Sequence, residues 1–243
     1  MIANRQNWGI VDLGRVPYEE AWALQTRLVA ARADGGLPQE LVLMLEHPPV
    51  FTLGKRGGRD NLLIPEERLK RCGIPLVQVE RGGNITYHGP GQLVLYPIVH
   101  LPGIGFGVVD LVDRLEEVMI RTSAGFGVAA ERNPLNRGVW VGLKKIGAVG
   151  IAVRRGVSFH GMALNVDPDL TPFSWIQPCG LQGVGVTSLK AETGGRVSMP
   201  DACRDVARHF EAVFGVRLSA VPPERILAGA AAAPVFTGMG ADA

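Results

Sequence analysis

Cys179 has the setting in this sequence that best suits covalent chemistry. It lies between Pro178 and Gly180 in WIQPCGLQGVGVTSL, an irregular segment and not the middle of a strand or a helix. The thiolate form is the nucleophile, so a reactive cysteine needs a lysine or a histidine that folding brings close to it. The sequence therefore indicates a candidate sulfur nucleophile that requires a basic neighbour.

Two adjacent lysines, Lys144 and Lys145, precede the apolar run IGAVGIAV. A lysine pair at the start of a strand usually lies in solvent, and this interpretation is favoured for Lys144. Lys145 leads directly into the apolar run and can be drawn into a cleft. There burial favours a neutral amine, whereas a neighbouring thiolate favours the ammonium form.

A glycine-rich stretch, RGGNITYHGPGQ at residues 81–92, can bring backbone N–H groups close to a ligand. It matches neither a Walker A loop nor a dinucleotide-binding motif, so phosphate binding is not supported, and a tight structural loop remains the alternative. His88 in this stretch and His160 each lack a second metal ligand at close spacing. A hydrogen-bonded structural role is favoured for both histidines, and no metal site is predicted.

The composition narrows the possible functions. A net charge of +2 argues against a dedicated nucleic-acid binder, and 47% hydrophobic residues are ample for a packed core. Three cysteines do not form a disulfide framework or a zinc motif, and Cys72 and Cys203 are typical of inert small hydrophobic side chains. The sequence has no signal peptide at its start and no membrane-spanning run, so a cytoplasmic protein is expected.

Periodicity predicts three helices, over 18–33, from 107 to about 124, and from about 198 to 215. Strands are predicted in LVLMLEHPPVFTLG, IPLVQVERGG and QLVLYPIVHL, and a hairpin with its turn at 154–156. Strands and helices that do not alternate regularly favour an α+β fold with a mixed β-sheet flanked by helices. We expect one domain over 1–217 and a poorly ordered tail, rich in Ala, Gly and Pro, over 218–243.

Five blocks resemble the octanoyltransferase family, the lipoyl(octanoyl) transferases. They occur in the family's order and span about residues 41–214: EHPPVFTLGKRG, RGGNITYHGPGQLVLYPI, KKIGAVGIAV, FHGMALNV and PCGLQGVGVTSL. The resemblance implies a fold like the catalytic domain of biotin and lipoate protein ligases.

The resemblance also implies roles for particular residues. The acyl-thioester nucleophile corresponds to Cys179, and the lysine that tunes it corresponds to Lys145. The chain departs from the family's usual residues at Asn84, Ile85 and Gly147. These departures bear on the fine substrate preference and not on the chemistry. The implied substrate-binding residues are Arg81, Gly82, Gly83, Asn84, Ile85, Thr86, Tyr87, His88, Ala148, Val149, Gly150, Gly161, Met162 and Ala163.

The implied reaction moves an octanoyl group from octanoyl-acyl carrier protein to a lysine of a lipoyl domain, the first step of endogenous protein lipoylation. The implied acceptors are lipoyl domains of 2-oxoacid dehydrogenase subunits and the glycine cleavage H protein. No cofactor, nucleic acid or membrane is implied, and a monomer is expected. Lys55, Arg56 and Arg59 form a candidate docking patch for an acidic carrier, with a solvated loop as the equal alternative.

Three other functions remain as alternatives. A lipoate or biotin protein ligase would activate the free acid with ATP, and the pair of Cys179 and Lys145 argues against it. A hydrolase that uses Cys179 with a histidine would release free octanoate. A catalytically silent carrier-binding protein would hold the acyl carrier protein without turnover.

Overall fold

The computed structural model describes residues 5–134, 136–177, 184–195 and 197–231. Its helices are α1 (Tyr18–Ala33), α2 (Glu66–Arg71), α3 (Val108–Gly125), α4 (Leu189–Thr193), α5 (Met199–Phe214) and α6 (Pro223–Ala231). The first six strands are β1 (Asn7–Arg15), β2 (Leu41–Glu46), β3 (Val50–Leu53), β4 (Leu76–Gln78), β5 (Ile85–His88) and β6 (Gln92–Ile98). The others are β7 (Glu131–Asn133), β8 (Asn136–Val141), β9 (Lys144–Arg154), β10 (Val157–Asn165), β11 (Gly185–Val186) and β12 (Arg217–Ala220). No helix among these residues is long and apolar enough to cross a bilayer.

The main sheet mixes parallel and antiparallel pairs. Its strand order is β12-β1-β2-β6-β10-β9-β8-β7, and β11 lies against β9. The β12-β1, β1-β2 and β11-β9 pairs are parallel, whereas the pairs from β2 to β7 are antiparallel. The α+β class with a mixed sheet is therefore confirmed.

Both faces of the main sheet are covered, because its central strands alternate their apolar side chains between two cores. Val42 and Met44 of β2 belong to the core that also contains residues of α3 and α5. Leu41 and Leu43 of the same strand belong to the core that contains residues of α1 and α6. The sheet thus lies between two helical layers.

The three long helices lie where the periodicity predicts them. Helix α1 covers residues 18–33 as predicted, and α3 begins and ends within one residue of its predicted bounds. The side chain of Ser198 caps α5 by accepting a hydrogen bond from the N–H of Asp201, and Gly215 ends the helix in a left-handed conformation. The predicted hairpin is confirmed as well, since β9 ends at Arg154 and β10 begins at Val157.

A second, three-stranded sheet has the order β4-β3-β5. Strand β5 comprises Ile85–His88, in the middle of the glycine-rich stretch that the sequence suggests is a loop. It pairs antiparallel with β3 and packs Ile85 and Tyr87 into an apolar cluster with Phe51 and Phe173. The alternative interpretation as a tight loop is therefore wrong for these four residues, because long-range pairing with β3 stabilises a strand between glycine-rich flanks.

The region beyond residue 217 also differs from its prediction of poor order. Strand β12 pairs in parallel with β1, and Val221 donates a backbone hydrogen bond to Ile10. Ile226 of α6 is buried in the core that contains residues of α1. Residues 218–231 thus form part of the folded unit, whereas residues 232–243 of the predicted tail lie outside the described residues.

The two described cysteines have different environments. Cys203 on α5 packs partly against the core, and burial raises the pKa of its thiol to about 11. Cys72 is the C-cap residue of α2 and is exposed. The short α2 buries Leu69 and leaves its last residue in solvent.

The close packing of β10 on β6 predicts a strong effect for Gly161→Ala. A Cβ at Gly161 would overlap the carbonyl oxygen of Leu95, which is backbone and cannot rotate away. We expect the free energy of unfolding to fall by about 1–3 kcal/mol or more, measured by urea denaturation. Gly36→Ala is the matched control, because its nearest neighbour would lie 3.6 Å from the new Cβ. Equal stabilities of the two variants would contradict the packing argument.

Candidate active site

A cavity of about 680 Å³ lies between the two sheets, beside β5, β9, β10 and the start of α3. Apolar side chains of α3, including Val108 and Val112, form part of its wall. Thirteen of the fourteen predicted substrate-binding residues line it: Arg81, Gly82, Gly83, Asn84, Ile85, Thr86, His88, Ala148, Val149, Gly150, Gly161, Met162 and Ala163. Residues far apart in the chain therefore meet at one concave surface, as a ligand site requires.

Tyr87 is the predicted residue that does not line the cavity. Strand alternation directs it to the opposite side of β5 from Thr86 and His88. Its ring packs edge-on against Phe173 and lies 5.1 Å from the ring of Phe51, centroid to centroid. Burial, with a smaller contribution from Asp169, raises the pKa of its phenol to about 12. Tyr87 thus anchors the cavity wall from behind.

Arg81 holds the cavity loop between the two sheets. Its guanidinium is buried and donates to the carbonyl oxygen and the side-chain oxygen of Thr52 on β3, at 2.7 Å each. The next residue, Gly82, donates its N–H to the carbonyl oxygen of Ile151 on β9. A Cβ at Gly150 would lie 3.0 Å from the carbonyl oxygen of Gly82, so this close approach of loop and strand requires glycine.

His88 belongs to a chain of hydrogen bonds that crosses the floor of the cavity. Its Nδ1 lies 2.6 Å from Oε1 of Gln92, whose Nε2 donates to Oδ1 of Asn165. Nδ2 of Asn165 in turn donates to the carbonyl oxygen of Thr187. Because the amide nitrogen of Gln92 already donates to Asn165, its oxygen accepts from His88, and the proton of a neutral His88 lies on Nδ1.

Two more histidines and two tyrosines lie next to His88, and the sequence analysis did not predict that these residues form a cluster. Nδ1 of His47 lies 2.7 Å from the carbonyl oxygen of Val16, so it donates there and leaves Nε2 to accept from the hydroxyl of Tyr96. The ring of Tyr18 stacks on the rings of both His88 and His160. Tyr18, Tyr96 and His160 also line the cavity.

The three imidazoles are neutral in the folded protein because their pKa values are lowered. Burial is the largest cause for each; it lowers the pKa of His47 to about 4 and that of His160 to about 3. The pKa of His88 is held well below its usual value by burial and then by its neighbour His47. The guanidinium of Arg81 lowers the pKa of both His88 and His160 further. Hydrogen-bonded structural roles for His88 and His160 agree with this burial.

Lys145 enters the cavity from the first residues of β9, whereas Lys144 is exposed and pairs with Glu192. The Nζ atom of Lys145 donates to Oδ1 of Asn136 at 3.1 Å. It also lies 5.0 Å from the centroid of the Trp140 ring. The prediction that Lys144 is solvated and Lys145 is drawn into a cleft is confirmed.

Cys179 lies outside the described residues, but the described chain on both sides of it reaches the cavity. Before it, Phe173 lines the cavity, and Gln177 donates its N–H to the carbonyl oxygen of Asn61. After it, Val186 lines the cavity and pairs in parallel with Lys145. The described chain after this segment therefore lies beside Lys145 at Val186, and the described chain before it reaches the same cavity at Phe173.

Comparison with known proteins places these residues in a family context. Residues 17–211 match the model of the lipoyl protein ligase A/B catalytic domain. The chain is 56% identical over 187 residues to an octanoyltransferase of Desulfotalea psychrophila. This alignment covers 76% of this chain and 84% of that protein. The residues that match the family model include the cavity residues and Lys145.

Solved structures share the fold at low sequence identity. A bipartite lipoate protein ligase from Thermoplasma acidophilum superposes with a TM-score of 0.72 at 16% identity, covering 93% of this chain and 91% of that one. A biotin protein ligase from Aquifex aeolicus gives a TM-score of 0.54 at 12% identity, covering 85% and 70%. The predicted likeness to the ligase catalytic fold is confirmed.

The neutral histidines make stability fall on acidification. Below pH 6.5 the unfolded chain binds protons on His47 and His160, but the folded protein binds them only near pH 4 and pH 3. The free energy of unfolding should therefore drop between pH 6.5 and pH 5 by about 1.4 kcal/mol per pH unit for each histidine. Urea denaturation across this range measures the slope.

His160→Gln should reduce that slope by about one proton, because one group that titrates only in the unfolded chain is gone. His209→Gln is the comparison, since His209 is only partly buried on α5 and burial lowers its pKa without removing it from solvent. An unchanged slope in His160→Gln would contradict a neutral buried His160.

Proposed function

The chain belongs to the lipoyl protein ligase A/B catalytic-domain family, and we propose that it is an octanoyltransferase that uses Cys179 and Lys145. The curated relative with 56% identity is named an octanoyltransferase. One structural observation carries the proposed use of a thiol: β11, which follows the segment of Cys179, pairs directly with Lys145. The donor, the acceptor and the covalent intermediate are parts of the proposal.

In the first half-reaction, the Cys179 thiolate attacks the thioester carbonyl of octanoyl-acyl carrier protein. The C–S bond to the carrier's thiol breaks, and the ammonium of Lys145 gives its proton to that departing sulfur. The products are an octanoyl thioester on Cys179 and the free carrier thiol. One thioester replaces another, so the step is nearly balanced in free energy and needs no ATP.

In the second half-reaction, a lysine amine of a lipoyl domain attacks the Cys179 thioester. The neutral amine of Lys145 takes the proton that the attacking nitrogen loses, and the C–S bond breaks to regenerate the thiolate. The product is an amide, which is downhill from a thioester. Proton transfer of this kind contributes roughly 10²–10⁴-fold to the rate.

The cavity has two kinds of surface that suit an acyl thioester. Val108, Val112, Val149 and Met162 offer apolar side chains along which the eight-carbon chain can lie. Each tetrahedral intermediate carries negative charge on oxygen, for which backbone N–H groups near Gly83 or Gly161 are the candidate donors. The N–H of Gly82 is not a candidate, since it donates to Ile151.

A ligase that adenylates free octanoate with ATP is the rival reaction within the same fold. The chain is 56% identical to a transferase, whereas it shares only 16% and 12% identity with the two ligase structures described above, which supports the transferase. A ligase also has no need for a thiol nucleophile. Formation of octanoylated lipoyl domain only from free acid and ATP would overturn the proposal.

Intact-protein mass spectrometry after incubation with octanoyl-acyl carrier protein tests the covalent route. Wild-type protein should gain one octanoyl group that hydroxylamine removes, because a thioester is labile to it. Cys179→Ser should gain no such group, and Lys145→Ala should gain it about 10²-fold or more slowly. Cys203→Ser is the matched control, since burial raises the pKa of the Cys203 thiol to about 11 and keeps it protonated.

Two other outcomes would each exclude one part of the mechanism. An octanoylated acceptor without any adduct on the enzyme, also formed by Cys179→Ser, would mean direct transfer. Release of free octanoate without acylated acceptor would mean hydrolysis instead of transfer.

The exposed segment before the short 3-10 helix at Arg59–Asn61 is the proposed docking site for an acidic carrier. Lys55 and Arg56 are exposed, and Arg56 also lines the cavity, so this charge lies at the entrance. Arg59 forms an ion pair with Glu66 and contributes less free positive charge. Charge attraction across such a surface accelerates association at low salt.

Lys55→Glu should raise the KM for octanoyl-acyl carrier protein about five- to tenfold at low salt and change kcat little, because it alters docking and not chemistry. An uncharged donor, the octanoyl thioester of N-acetylcysteamine, should react equally with both proteins. Arg225→Glu, an exposed change on α6, is the matched control. Equal KM values for wild type and Lys55→Glu would remove Lys55 from the docking surface.

A further inference from the structure

Residues of strand β8 contact the side chain of Lys145 on one side. Asn136, Gly138 and Trp140 alternate along β8 with Arg137 and Val139, and Trp140 pairs across the sheet with Lys145. Oδ1 of Asn136 lies 3.1 Å from Nζ of Lys145, and the centroid of the Trp140 ring lies 5.0 Å from it. One end of the lysine is thus held by an amide and an aromatic face.

Gly138 leaves the space through which the lysine stem passes. A Cβ there would lie 2.6 Å from Cε of Lys145 and 2.5 Å from the carbonyl oxygen of Gly147. Its φ of +112° is also a conformation that other residues rarely adopt. The N–H of Gly138 donates to Glu116 of α3 at 2.7 Å, which fixes this part of β8 against the helix.

A β-bulge at Ile146 directs Lys145 away from the core. Val139 pairs with Gly147 and Trp140 pairs with Lys145, so Ile146 is an extra residue on β9. Ile146 is fully buried in the core beside α3, whereas Lys145 lines the cavity. The bulge, the glycine and the amide together define one position for the amine.

The contacts that β8 makes with the amine are uncharged. The nearby carboxylates of α3 have other partners: Glu116 accepts from Gly138 and pairs with Arg132 and Arg137, and Asp113 pairs with Arg137. In α4, the carboxylate of Glu192 pairs with Lys144 of β9. A carboxylate at the position of Asn136 would favour the ammonium form strongly, whereas an amide orients the amine and lets it lose a proton more readily.

We propose that Asn136 is a positioning residue, whose neutral amide oxygen aims the amine of Lys145 into the cavity while Trp140 and Gly138 define its path. Its consequence for catalysis rests on the proposed function, in which Lys145 first gives and then takes a proton. An aspartate at 136 would keep the hydrogen bond and hold the proton on Lys145, so the second half-reaction would require a higher pH.

Competitive acetylation with trace acetic anhydride, followed by peptide mass spectrometry across pH 6–11, measures the pKa of the Lys145 amine without any turnover. Asn136→Asp should raise this pKa by about one unit or more. Asn136→Ala should lower it, because the charged form loses an acceptor. Asn7→Asp is the matched control, the same change on β1 beside Ser219, and should leave Lys145 unaffected.

The rate of octanoyl transfer provides a second test of the role of Asn136. In Asn136→Asp, the pH dependence of amide formation should move upward with the labelling pKa, and kcat at pH 7 should fall about tenfold or more. Lys145 labelling that is identical in wild type, Asn136→Asp and Asn136→Ala would overturn the positioning role. Shifted labelling in a protein that transfers no octanoyl group would instead leave Asn136 as the holder of Lys145 and refute the proposed function.

Discussion

The buried guanidinium of Arg81 is the interaction on which the cavity depends. A charge that leaves water must be satisfied by hydrogen bonds, and Arg81 finds its acceptors on β3 of the small sheet and in its own loop. Because Gly82 is bonded to β9 of the main sheet, the same loop joins both sheets. The distance between the sheets, and hence the width of the cavity, follows from these contacts.

Burial, with a further contribution from the same guanidinium at two of them, explains why three histidines can lie together without charge. Burial alone disfavours imidazolium, and the fixed positive charge of Arg81 adds to this effect at His88 and His160. Neutral rings can stack on Tyr18 and keep defined tautomers through His47 and Gln92. The cavity wall therefore combines a buried cation, Arg81, with neutral imidazole rings that hydrogen-bond in defined tautomers.

Local signals in the sequence were sufficient for features with local causes. The apolar period of α3, the Ser198 cap of α5 and the turn at 154–156 each involve neighbouring residues. They failed where distant segments decide the structure: β5 depends on β3, and β12 depends on β1, more than 200 residues away. The site divides in the same way. Its segments were found through motifs and resemblance, whereas Asn136 and Tyr18 lie outside the resembling blocks and are brought to the site only when the chain folds.

The connection between the two ends of the cavity is a continuous hydrogen-bond path and not proximity alone. His88 contacts Gln92, Gln92 contacts Asn165, and Asn165 holds the carbonyl oxygen of Thr187. The N–H of Thr187 then bonds to the carbonyl oxygen of Lys145. A change in the glycine-rich stretch would therefore reach Thr187, which follows β11, through side-chain hydrogen bonds. Because each amide along this path both donates and accepts, no member can rotate without breaking a bond to its neighbour. The order of these side chains thus fixes the backbone on which the proposed nucleophile and its lysine partner depend.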